Sequence, residues 1–156
     1  MPANSLRLKD FKHNVVNPAW LAFVWFGVTA GISLLETPVK FTAPTITRPV
    51  ALDVGRTVFA ALNKVEFVLL ILLLVLVRVS GRSRQLFAAC GALVVILMAQ
   101  SIWLLPELSA RAQSIVQGIE PGPSIAHVAY SVLELVKLLL LLYVGFRSMA
   151  SPPQSG

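Results

Sequence analysis

The run from Gly55 to Val79, GRTVFAALNKVEFVLLILLLVLVRV, is long enough to cross a bilayer, yet it carries Arg56, Asn63, Lys64 and Glu66. A helix rises about 1.5 Å per residue, so a hydrocarbon layer of about 30 Å asks for about 20 residues. An ionised side chain facing that layer costs roughly 2.5 to 3.5 kcal/mol on insertion scales. The charges of this run therefore need partners on other helices. The last apolar run, IAHVAYSVLELVKLLLLLYVGF from Ile125 to Phe146, offers them in Glu134 and Lys137.

Two more runs have the same length and character, Ala19 to Val39 and Leu86 to Leu105. The expected fold is thus an all-α membrane protein, a four-transmembrane-helix bundle made of two hairpins. The bulk composition agrees, with 56% hydrophobic and 13% charged residues, against the roughly 25% charged of soluble domains. The net charge of +6 comes from Lys and Arg residues placed mostly at the ends of the apolar runs. They form no basic tract, which points to lipid headgroups and away from nucleic acid. Cys90 is the one cysteine, so an intramolecular disulfide and a CxxC motif are excluded, and a packing role is expected.

Between the spans the chain is punctuated by Pro, Gly and charge. Residues 1–18 read as a cytoplasmic leader and residues 148–156 as a disordered cytoplasmic tail; the first apolar run is too long, and lacks the cleavage pattern, for a signal peptide. Gly27 and Gly31 form a G-x-x-x-G pair that would let a neighbouring helix approach closely. Glu36 and Lys40 stand four apart on one face at the end of the first span, with Pro38 loosening its last turn. FTAPTITRPVAL, 41–52, reads as an irregular loop ending at Asp53 as a helix cap. Pro106 is expected to stop the third span. Residues 107–124 read as a polar loop with a short amphipathic helix over 107–117.

Positive residues set the orientation. Arg7, Lys9, Lys12, Arg78, Arg82, Arg84 and Arg147 flank one side of the spans, and Lys40, Arg48, Arg56 and Arg111 the other. Both termini are therefore expected in the cytoplasm, with the protein in a bacterial inner membrane. Setting NKVEFVLLILLLVLVR beside YSVLELVKLLLLLYVGFR places Glu66 against Glu134 and Arg78 against Arg147, a hint of a parallel repeat about an axis along the membrane normal.

Helical spacing gives each charged span one polar stripe: Arg56, Asn63 and Glu66 on the second, and His127, Tyr130 or Ser131, Glu134 and Lys137 on the fourth. With Glu36 and Gln100 approaching from the other two spans, these residues are expected to form one polar cluster in the outer half of the bundle. Glu134 and Lys137 can pair along their own helix, and Glu66 can pair with Lys137 across helices. The cluster reads either as a structural ion-pair network or as an ion or solute site. One histidine without a second His or Cys ligand argues against a transition metal or haem, and no cofactor is expected. The chain has no H-E-x-x-H, G-x-S-x-G, P-loop or G-x-G-x-x-G motif.

Gly31, Pro38 and Phe41, followed by Gly55 and Phe59 opening the next helix, resemble the first hairpin of the transmembrane protein 205-like family of small four-span membrane proteins. The resemblance covers the first half and implies the architecture more than any activity. The function expected is a non-enzymatic accessory or structural membrane subunit, in a homo-oligomer or larger membrane complex. The alternative is a small transporter or channel component that uses its intramembrane carboxylates.

Overall fold

The computed structural model describes residues 17–81 and 83–150, which form four long helices and no strand. The helices are α1 (Ala19–Thr42), α2 (Arg48–Val79), α3 (Arg84–Val116) and α4 (Ala126–Ala150). All four are long and apolar enough to cross a membrane. The expectations for the leader up to residue 16, for Arg82 and for residues 151–156 lie outside the described residues.

Four helix ends differ from the sequence reading. α2 begins at Arg48, because Thr47 takes the extended N-cap conformation and Pro49 enters the first turn, where its missing N–H costs no hydrogen bond. Asp53 therefore lies inside the helix and pairs with Arg56 one turn on, instead of capping. α3 runs through Pro106 to Val116 and absorbs the expected short amphipathic helix. α1 likewise runs past Pro38, beyond Val39 to Thr42, and α4 runs to Ala150, so residues 148–150 of the expected disordered tail are helical.

The two prolines are tolerated by the same device. Gly31–Glu36 and Gln100–Leu104 are π-helical, and each wide turn ends two residues before a proline, Pro38 or Pro106. A proline ring collides with the carbonyl four residues back and offers no N–H to it. A π turn moves that carbonyl out of register, so the helix continues.

α1 packs most broadly on α4, and α2 on α3, to which it is joined through a turn at Ser80 and Gly81. Gly81 has φ +60°, the left-handed conformation that glycine adopts without penalty. At this end of the bundle the interior is closely filled by Trp25, Leu73, Val77, Leu86, Cys90, Leu93, Leu141 and Val144. At the other end a smaller group, Leu104, Ala126 and Tyr130, is buried. Cys90 is thus a packing residue.

The close approach expected at Gly27 and Gly31 is absent among the described residues. A Cβ at either would meet nothing within 4 Å. Gly145 of α4 takes that part instead, since a Cβ there would stand 2.6 Å from the Phe23 ring, which is also edge-on to Phe146 at 5.3 Å. Gly145→Val should therefore lower the thermal midpoint of the purified protein by an overpacking cost of about 1–3 kcal/mol. Gly27→Val, measured in the same melting series, should shift it by far less.

The outer surface is as apolar as an ordinary core. Val68, Ile71, Val75 and Val79 of α2, Val95 and Ile102 of α3 and Val132, Leu135 and Leu139 of α4 are all more than half exposed. Glu66, Glu134 and Lys137 lie inside and these aliphatic side chains outside, the arrangement a lipid solvent selects. The chain has the build of an integral membrane protein.

Candidate functional site

Where the four helices meet, Lys137 of α4 is fully buried and its ammonium touches three acceptors on three helices. They are Glu66 Oε1 of α2 at 2.6 Å, Glu134 Oε2 of α4 at 2.8 Å and Gln100 Oε1 of α3 at 3.0 Å. An ammonium has three donors, and each is used. Both pairings expected for Lys137 are present, the one along α4 and the one across the bundle.

The carboxylates are held from the remaining sides. Trp25 Nε1–H and Thr29 Oγ1–H of α1 donate to Glu66 Oε1 at 3.0 and 2.9 Å. Ser33 Oγ–H donates to Glu134 Oε1 at 2.6 Å, and Gln100 Nε2–H to Glu134 Oε2 at 2.8 Å. Glu66, Gln100, Glu134 and Lys137 are each at most 4% exposed. All four helices thus contribute to a single hydrogen-bonded network. Removing water from charges in this way is costly unless every donor and acceptor is matched.

Both π turns serve this network. Ser33 lies in the first and Gln100 opens the second, and both donate to Glu134. Ser33, Pro38 and Glu66 recur at one constant interval, 68 residues, as Ser101, Pro106 and Glu134. This register is one residue short of the one that pairs Arg78 with Arg147, and it relates a π turn, a proline and a carboxylate in each half. The halves differ where it matters electrostatically, since the position matching Lys137 is Leu69.

The other sequence candidates lie outside the network. Asn63 donates to Ser101 Oγ at 2.7 Å, Arg56 is held by Asp53, and Glu36 is bound to Lys40 at 3.4 Å. His127 is exposed, and the Ser131 hydroxyl donates to its backbone carbonyl, not to its imidazole. Among the described residues no three His, Cys, Asp or Glu side chains converge as a metal ion would require. Gln100 is the midpoint of α3, and Glu66 lies past the midpoint of α2 towards the turn at Ser80. On the helices themselves, therefore, the network stands near mid-height, because α2 and α3 extend further beyond it than the sequence spacing implied.

Beside the network the bundle is hollow. A cavity of about 650 Å³ is lined by all four helices between the network and the loop that joins α3 to α4. Glu134, Tyr130 and Ser33 lie at its inner end, and Lys40, Phe41, Phe59 and Leu108 form part of its wall. Trp25, Thr29 and Ser33 were not among the expected site residues, although their spacing of four puts them on one face of α1. No family model, no curated protein and no solved structure matches the chain.

Proposed function

We propose that the protein is a non-enzymatic accessory or structural subunit of the membrane, in which the buried network fixes the order and rotation of the four helices. The observation that carries this reading is Lys137: one fully buried ammonium bonded to groups from α2, α3 and α4, with α1 closing the set through Trp25, Thr29 and Ser33. In lipid the hydrophobic effect does not press helices together, so matched polar contacts and packing must select their partners. The non-enzymatic reading is supported by His127, which is exposed and takes the Ser131 hydroxyl on its backbone carbonyl and not on its imidazole. The transmembrane protein 205-like resemblance belongs to the same proposal, as does assembly with further copies or other membrane subunits.

Reconstituted into proteoliposomes, the wild-type protein should move no protons in response to ion or solute gradients, and Glu66→Gln and Glu134→Gln should both lose thermal stability. A second reading has one observation in its favour: the cavity reaches Glu134, so a carboxylate of the network is accessible from one end of the bundle. Solute-linked proton movement by the wild type, lost in a Glu134→Gln protein of normal oligomer size, would select a transporter instead.

The proposed orientation puts both termini and the α2–α3 turn in the cytoplasm of a bacterium. In a Cys90→Ala background, Ser80→Cys should resist an impermeant maleimide in intact cells and react after lysis, whereas Gly122→Cys should react in intact cells. Labelling of Ser80→Cys from outside would invert the topology.

A further inference from the structure

Lys40 stands in the cavity wall, towards the loops and away from the network, and it is poorly satisfied. Its side chain is 8% exposed, and among the described residues its one carboxylate contact is the 3.4 Å approach to Glu36. The ammonium otherwise faces two aromatic rings, Phe41 at 5.7 Å and Phe59 at 5.9 Å from the ring centroids. Gly55 leaves room for it, since a Cβ there would come within 2.7 Å of Nζ. An ammonium has three donors and a strong hydration requirement, so this contact set leaves capacity unused in a nearly dry place.

The surroundings define what would use it. Arg56 and Lys64 also line the cavity, whose one carboxylate among the described residues is that of Glu134, already bonded to Lys137 at the far end. Arg56 is paired with Asp53, so the positive charge of the wall rests on Lys64 and on the weakly paired Lys40, with aromatic and aliphatic surface between. A cavity of about 650 Å³ is of the size that encloses a small organic ligand. Leu34 and Leu135, both more than half exposed, stand at its margin, on a surface that faces lipid.

We propose that this cavity binds a single-chain amphiphile with an anionic head, of the long-chain carboxylate class, with the carboxylate on Lys40 and the apolar body along Phe59, Leu105 and Leu138. The head takes the unused donors of the ammonium, a charge-assisted pairing strengthened by its exclusion from water. The chain covers the apolar part of the wall. Lys40 is the selecting group, and it acts independently of whether the network is structural or transports an ion.

The test uses the full-length protein in nanodiscs of zwitterionic lipid and a fluorescent long-chain polyene carboxylate, with the alcohol of the same chain and a trimethylammonium amphiphile as comparisons. The carboxylate should saturate at one per chain and bind more tightly than either comparison. Lys40→Met should weaken the carboxylate by about 10- to 100-fold, the loss of one charge-assisted bond, and leave the alcohol unchanged. Glu36→Gln, which frees Lys40 of its competing carboxylate, should hold or improve affinity. Gly55→Ala, which displaces Nζ, should weaken the carboxylate with no change in the melting temperature. Equal binding of all three probes, unchanged carboxylate affinity in Lys40→Met, or a loss in Glu36→Gln matching that in Lys40→Met would overturn the proposal. Failure here would leave the proteoliposome result untouched, and the reverse also holds.

Discussion

Lys137→Met should leave little folded protein, whereas the same substitution combined with Glu66→Gln and Glu134→Gln should restore much of it. Lys137 is 0% exposed and satisfies Glu66, Glu134 and Gln100 together. Its removal leaves two carboxylates facing one another in the middle of the bundle, with only neutral donors from Trp25, Thr29, Ser33 and Gln100. Breaking a buried pair by deleting one partner costs about 3–5 kcal/mol, a large share of the 5–15 kcal/mol that holds a domain folded. Neutral amides at both glutamate positions remove the stranded charge while keeping the size of the side chains and their capacity to accept hydrogen bonds. Fluorescence-detected size exclusion after heating, run on the single and triple variants side by side, measures the difference. A Lys137→Met protein as stable as the wild type would remove the network from its structural role.

How far these residues were legible beforehand depends on the kind of signal each one carries. A charged or strongly polar side chain inside an apolar run is conspicuous because lipid makes it expensive, and that alone picked out Glu66, Glu134, Lys137 and Gln100, which converge. The same reasoning drew in Glu36, Arg56 and His127, which do not join them. Arg56 and Glu36 find partners within one turn on their own helices, and His127 lies near the start of α4 where it is exposed. Periodicity places a residue on a face, but it does not say whether a local partner will take it first. Trp25, Thr29 and Ser33 were passed over because Trp, Thr and Ser are ordinary in membrane helices, so nothing in their type announces a donor.

The helix ends show a related limit. Pro106 and Pro49 look alike in sequence, yet one lies inside a helix after a π turn and the other in a first turn. A π turn has no composition of its own. Its signature here is relational, a polar residue five or six positions before a proline in each half, and it becomes visible once Ser33, Pro38 and Glu66 are set against Ser101, Pro106 and Glu134. The repeat places two equivalent carboxylates near one another, and like charges so close need a neutralising group. Lys137, present in one half only, supplies it, so the departure from symmetry is what makes the symmetric remainder tenable.

The two glutamates should nevertheless respond unequally to Leu. Glu66 is 1% exposed, and a single oxygen accepts from Trp25, Thr29 and Lys137. Glu66→Leu leaves Trp25 and Thr29 without their acceptor and takes one of three acceptors from Lys137, in a closely filled part of the bundle where a buried unmatched donor costs about 1–3 kcal/mol. Glu134 also has three donors, from Ser33, Gln100 and Lys137, but it borders the cavity. Water admitted there can take over part of what the carboxylate did, since the space is roomy and lined with polar groups. Glu66→Leu should therefore fail to give a single peak on size exclusion, while Glu134→Leu gives one with a melting temperature lowered by a loss smaller by about 1–3 kcal/mol. Equal losses would mean that the cavity end of the network is as dry as the packed end. A greater loss in Glu134→Leu would move the mechanical centre of the bundle from Glu66 to the π turns that carry Ser33 and Gln100.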